Sequence, residues 1–518
     1  MKVDFFLWKN KNSILKCLGG FLILVVLAGY SFYTYKNLSD VLKKDNTFIL
    51  NLFTGLCAWM LFFIVFLYYC VNKKKHLSIE KAFVISMFFL GFSYLIATPA
   101  FSVPDELVHY GTSYRLSNQL MGIKDTNEDY ALCRSCDTAP EITHITTLQT
   151  YKYFYNNVFK KPLENDEVVN SPEVIKHISV ISHLPQAIGI TIARLFHFSY
   201  AGLLYTGQFF TLIAYTLLTY FAIKIIPFGK NILFVISGFP IVLHEATSYS
   251  YDAIVYGLSF LLIAYIINLV YVEKRITIKH CVVSFIIAMA LAPCKMIYAF
   301  ITLLVILIPN KKFKDKWYAR VYKFFMIVCS VLYAFISNMG EVSNTSSGKH
   351  IVEWAGEEGY TVSYVFHHIS GIIKLYVATF HEQMGYYLDG MLGGLLGWLN
   401  IDIPVELTMC SLVLLVLSIR EERKYNIKLT HSLLYIADFF FISLLACATM
   451  LLAWTPLSYP FIAGVQGRYF IPVLPLFLLP FIDATKEQEE CTRKVLIIGN
   501  CIVNYLVILR IIEINVMR

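Results

Sequence analysis

The chain has 518 residues, of which 57% are hydrophobic and only 15% charged. A soluble domain carries about 25% charged residues, and no soluble shape has enough interior to hide this much apolar surface. A soluble enzyme is excluded, and runs of about 20 apolar residues become the units to find. The formal net charge is +8, but Lys and Arg sit in short clusters between apolar runs. That is the pattern of cytoplasmic loops, so nucleic acid is not an expected partner.

The N-terminus carries Lys2, Lys9, Lys11 and Lys16, followed by an apolar run from about Ile14 to Tyr33. The run is too long for a signal-peptide core and no small-residue cleavage site follows, so it reads as a retained signal anchor. Runs at Phe48–Cys70 and Ile79–Phe101 flank the basic loop Lys73-Lys74-Lys75-His76. With both basic segments cytoplasmic, the third run ends outside at Phe101. Ser102–His177 is then a large external loop. Ile178–Phe198 contains His183, Pro185, Gln186 and Arg194 and reads as a helix in the outer interface, extending the external loop over 102–200.

Ala201–Ile225 descends to Lys224 and Lys230, Asn231–His244 climbs out, and Asp252–Val272 descends to Glu273-Lys274-Arg275. Cys281–Pro309 is too long for one span and too short for two, has basic flanks on both sides, and is interrupted by Pro293. Proline removes a helical hydrogen bond, so two half-length helices should meet near Ala292-Pro293-Cys294-Lys295. A broken helix is tolerated at membrane depth only where it is buried or lines a polar cavity, and a lysine there is a candidate site. Tyr318–Ser337 climbs to a second external segment, 338–404. Val405–Ile419 descends, Ser432–Trp454 ascends, Gly467–Ile482 descends and Val495–Ile512 ascends. The expected fold is all-α and polytopic, with about 11 to 13 spans. Residues 1–78 form an N-terminal pair of spans, 79–483 a core, and 484–518 a cytoplasmic loop and last span.

The polar exceptions carry the chemistry. In Val103-Pro-Asp-Glu-Leu-Val-His109, Asp105 and His109 are four apart and share a helical face. Asp105 is either a helix cap or a general base at the membrane surface, with Glu106 and His109 beside it. His183 sits in Ser182-His-Leu-Pro185, and Asp252 follows Ser248-Tyr-Ser-Tyr251; each is a surface or capping residue or part of a groove. Lys295 lies at the helix break, where it either snorkels or binds an anion. Arg468, in Gln466-Gly-Arg-Tyr-Phe-Ile-Pro472, could anchor to headgroups or fork onto a phosphate. On this topology Asp105, His183, Asp252, Lys295 and Arg468 all emerge on the outer side at similar depth. Cys133-Arg-Ser-Cys136 reads as a disulfide ahead of a metal site, because no second ligand pair sits at finger-like spacing. There is no nucleotide-binding signature, and no cofactor is called for, though a divalent cation is compatible with the pattern.

These motifs resemble those of the bacterial membrane-protein family called domain of unknown function 2142. The carriers are Pro104-Asp105-Glu106 with His109, His183-Leu-Pro185, Tyr251-Asp252, Pro293-Cys-Lys295, Gly394-Leu-Leu-Gly-Trp398-Leu-Asn400 with Pro404, and Gln466-Gly-Arg468-Tyr469-Phe-Ile-Pro472. They run in the family's order from about residue 80 to 475. That family looks related to the C-type glycosyltransferases, multispan enzymes that take sugars from polyprenyl-phosphate donors and invert the anomeric centre. The resemblance implies Asp105 as the catalytic residue, with Glu106 and His109 as companions. It implies Arg468 and Lys295 at the donor phosphate, and His183, Asp252, Tyr469 and Trp398 along the substrate groove. The expected function is sugar transfer to a cell-envelope glycan or other acceptor on the outer face of a bacterial plasma membrane. The competing readings are a transporter or flippase of lipid-linked glycans, which would place paired charges near the midplane, and a non-catalytic subunit of an envelope-polysaccharide complex.

Overall fold

The computed structural model describes residues 2–42, 47–72, 77–127, 129–138, 145–161, 167–175, 179–339, 351–422, 425–483 and 485–518, with side chains from residue 19 onward except at 487. The basic loop 73–76 and the side chains of Lys2, Lys9, Lys11 and Lys16 lie outside the described residues. The described chain is helical apart from three two-stranded antiparallel ladders. Among the described residues, eight helices are long and apolar enough to cross a bilayer: Gly19–Leu42, Thr47–Asn72, Ile79–Ala97, Tyr200–Ile225, Asp252–Tyr271, Lys316–Ser337, Leu429–Trp454 and Gln488–Met517. Four shorter apolar stretches, Ile278–Leu291, Met296–Leu307, Val405–Ser418 and Gly467–Phe481, stand beside them. The protein is an all-α polytopic membrane protein.

Helix Asp252–Tyr271 is the axis of the bundle. It packs along Tyr200–Ile225, Ile278–Leu291 and Met296–Leu307 and is buried along most of its length. In lipid, helices gain little from leaving their solvent, so close packing of small residues takes over. Gly189 faces Gly207 where helix Val180–Leu195 crosses Tyr200–Ile225. A Cβ added to Gly189 would meet Gly207 Cα at 2.8 Å and Thr206 O at 2.7 Å. Helix Val180–Leu195 turns Val180, Leu184, Ile188 and Leu195 outward on one face and buries His183, Gln186 and Arg194 on the other.

The break at Pro293 divides its region as expected, but the second half is not an α-helix. Met296–Leu307 winds as a 3-10 helix over 12 residues, entered through extended backbone at Lys295 (φ −156°). Runs of this length are uncommon in that tighter geometry. One further break was not expected. Asn231–His244 is divided into Lys230–Ser237 and Pro240–Ala246. Pro240 has no N–H to continue the first helix but is preorganised to start the second.

The polar segment that follows helix Glu106–Leu120 packs on that helix and on Tyr200–Ile225. Leu132–Arg134 pairs with Val168–Asn170, Leu132 opposite Asn170. Tyr114 Oη donates to Asp137 Oδ2 at 2.7 Å, and Arg134 Nε lies 2.6 Å from the same oxygen. Arg194 bridges the two helices by donating to Ser117 Oγ (2.9 Å) and Asn118 Oδ1 (2.8 Å). The expected Cys133–Cys136 disulfide is not formed. Both are free thiols: Cys133 points from its strand into a buried cluster with Tyr110 and Tyr114, while Cys136 leaves the following turn toward Asp137.

Candidate functional site

The site is assembled where the acidic turn, the start of helix Asp252–Tyr271, the break at Lys295 and the turn at Arg468 converge. Its base is a row of alternating charges. Lys295 Nζ lies 3.3 Å from Asp252 Oδ1, and Arg468 Nε lies 3.6 Å from Asp252 Oδ2. Nη1 of Arg468 pairs in turn with Glu245 Oε1. Glu245, Asp252 and Arg468 are buried, whereas the Lys295 side chain remains one-fifth exposed. Two acids and two bases make the row neutral, which is the condition on which buried charges are tolerated. Each cation nevertheless retains donors. Among the described residues, Arg468 Nε has no hydrogen-bond partner, and Lys295 Nζ, with three protons, meets one carboxylate oxygen.

Aromatic rings line this row. Tyr469 lies under Lys295, with Nζ 4.1 Å from its ring centroid, and Tyr251 lies at 5.7 Å, placements in which the ring quadrupole attracts the cation. Tyr298 Oη fixes the turn by donating to Tyr469 O at 2.8 Å. Gly467 explains the residue before Arg468. A Cβ there would meet Met391 N at 2.5 Å and Gly390 C at 3.0 Å, so only glycine lets this turn lie on helix Ile369–Leu392.

Tyr251 also touches the histidines. His109 and His183 are buried, with His183 Nε2 3.2 Å from His109 Nδ1, and the His109 ring stands edge-on to Tyr251 at 5.0 Å. His183 Nδ1 faces Ser182 Oγ (3.0 Å) and Ser179 O (3.3 Å). Burial lowers the His183 pKa to about 4, so this imidazole is neutral at physiological pH. Ser179 Oγ is also 3.9 Å from Cys294 Sγ, which ties the start of helix Val180–Leu195 to the break.

The acidic turn separates its two carboxylates. Asp105 is exposed in a left-handed conformation (φ 60°), makes no side-chain cap, and precedes helix Glu106–Leu120. Glu106 is fully buried. It accepts from Val103 N at 3.1 Å, Tyr249 N at 2.9 Å and Gln208 Nε2 at 3.4 Å. Burial raises its pKa to about 7, against the backbone bonds that pull it down. Its oxygens staple the turn to the segment leading into Asp252. The turn needs that staple, because Phe101 is also left-handed (φ 71°), a conformation costly for a bulky residue. Trp398 Nε1 donates to Phe101 O at 3.3 Å, and Gly397 N donates to His244 Nε2 at 3.2 Å. Trp398 thus holds the back of the turn.

Of the residues singled out from sequence, His109, His183, Asp252, Lys295, Arg468 and Tyr469 share one connected cluster. Asp105 stands at its edge through the turn, and Trp398 braces it. Cys133 and Cys136 belong to the loop core. Glu245 was missed, although a lone acid directly after an apolar run was a usable signal. No group of three or more metal-binding side chains occurs among the described residues.

An all-α membrane protein with a charged, aromatic-lined cluster at the ends of its helices is the class that fold and site define. A family model described as predicted membrane protein (DUF2142) matches residues 88–477, about three quarters of the chain, and the protein belongs to that family. The matched stretch contains every member of the cluster and leaves out the first two spans and the last helix. No curated protein and no solved structure matches the chain.

Proposed function

We propose that the protein is a membrane glycosyltransferase that moves a sugar from a polyprenyl-phosphate donor to a cell-envelope glycan or other acceptor on the extracytoplasmic face. The observation that carries this reading is the convergence of Lys295 and Arg468, from separate parts of the chain, on one carboxylate beside Tyr469, with donors still unused. Cations fixed in a poorly hydrated setting suit the charge that develops on a departing lipid phosphate. Asp105 accepts the acceptor hydroxyl's proton, the hydroxyl oxygen bonds to the anomeric carbon, and the bond from that carbon to the donor phosphate breaks with inversion. His109 and His183, wedged against Tyr251, position the groove, and Asp252 keeps the two cations aimed at one point.

The test is donor binding. Purified protein in nanodiscs is titrated with a polyprenyl-phosphate hexose and with the unphosphorylated polyprenol. Lys295→Gln should weaken retention of the phosphorylated lipid by roughly tenfold, about 1.4 kcal/mol, while leaving the alcohol unaffected. Equal retention of the phosphorylated lipid by wild type and Lys295→Gln would rule the site out as its holder.

A further inference from the structure

Three spans outside the family-matched stretch, Gly19–Leu42, Thr47–Asn72 and Gln488–Met517, line an open cavity of about 810 Å³. None of its lining residues belongs to the charged cluster. Its wall is apolar along Leu24, Ile64 and Ile502, and its polar groups gather at one end, where Asn72 and Lys494 stand. Ile64 to Asn72 and Lys494 to Ile502 each span eight residue steps, about 12 Å of helix rise. Gly19 opens the third wall, since a Cβ added there would meet nothing within 4 Å.

This shape has a head and a tail. Within a bilayer an apolar hollow between spans is filled by hydrocarbon, and the polar end selects what the hydrocarbon is attached to. Lys494 pairs with Glu490 at 3.5 Å, which engages one of its three donors. Arg493 precedes it in sequence. Basic clusters immediately beside a span attract anionic headgroups.

We propose that this cavity is a binding site for one anionic phospholipid, its phosphate at Lys494 and Asn72 and one acyl chain lying between the first, second and last spans. The lipid joins the N-terminal pair to the C-terminal helix, and the site is independent of the sugar-transfer reading. The test is native mass spectrometry of the purified full-length protein in detergent, with phosphatidylglycerol or phosphatidylcholine added. Wild type should retain one phosphatidylglycerol per chain and several-fold less phosphatidylcholine. Lys494→Gln should lower phosphatidylglycerol retention by roughly tenfold. Gly19→Phe, which fills the open wall, should lower retention of both lipids, and Lys295→Gln should change neither. Equal retention of the two lipids, no retention by wild type, or retention unchanged in both Lys494→Gln and Gly19→Phe would overturn the proposal.

Discussion

At the scale of single residues, the two adjacent carboxylates of the acidic turn have opposite surroundings, and their substitutions should behave oppositely. Glu106 accepts two backbone N–H groups while fully buried. Glu106→Gln turns one acceptor into a donor facing a donor and should destabilise the protein by about 1–3 kcal/mol, read as a lower melting temperature. Asp105 is exposed and uncapped, so Asp105→Asn should melt like wild type. Arg468 lies between two buried carboxylates. Its removal leaves Glu245 without its ion pair and Asp252 with Lys295 alone, and Arg468→Gln should cost about 3–5 kcal/mol. A melting curve unchanged by Arg468→Gln would contradict the burial of that row.

His183 adds a pH signature. Its pKa in the folded protein, about 4, lies below the ordinary 6.5, so between those values the unfolded chain binds more protons than the folded one. Stability contributed by the neutral imidazole is present above pH 6.5 and is lost as pH falls toward 4. Melting temperature should drop across that window, and His183→Gln should flatten the drop. Sequence alone could not divide these roles. Pro-Asp-Glu-Leu-Val-His names two carboxylates and an imidazole, but which one is buried depends on Tyr249 and Gln208, which lie far along the chain.

At the scale of elements, breaks position the site more than helices do. Lys295 follows Pro293 and enters a 3-10 helix, Glu245 sits on the short helix that Pro240 starts, and Arg468 begins another 3-10 turn. Prolines and basic flanks made the first break legible. The break before Pro240 was less so, because proline can begin a helix as readily as end one, and the apolar run around it continues without interruption. That Asp252, Lys295 and Arg468 would meet was suggested by charge placement along the spans; that Glu245 and Tyr251 would complete the row was not, since pairing across elements leaves no local periodicity. Gly467→Ala tests this scale. Its methyl group would push on the backbone of Met391, and overpacking of this kind costs about 1–3 kcal/mol. Donor-lipid binding should fall along with the melting temperature, whereas an added methyl accepted without loss of either would show that the turn does not rest on that helix.

At the scale of the whole molecule, composition determined the class, because an apolar content this high leaves only a bilayer as solvent. Span number was readable to within the ambiguity that broken helices create. Sidedness rests on the placement of Lys and Arg. It predicts that a cysteine at position 105, in a background freed of exposed Cys410 and Cys491, reacts with a membrane-impermeant maleimide in intact cells, while one at position 428 reacts only after lysis. The reverse labelling pattern would turn the proposed site toward the cytoplasm and remove the outer-face reaction with it.

The central claim joins Asp105 to the lipid-phosphate site in one reaction, and sugar transfer by purified protein measures it directly. Wild type and Asp105→Asn are given a radiolabelled polyprenyl-phosphate hexose and an envelope-glycan acceptor. The account predicts transfer by wild type and a fall of at least about a hundredfold in Asp105→Asn, with donor retention and melting temperature unchanged. Undiminished transfer by Asp105→Asn, or movement of the lipid across the membrane by wild type with no sugar transferred, would contradict it.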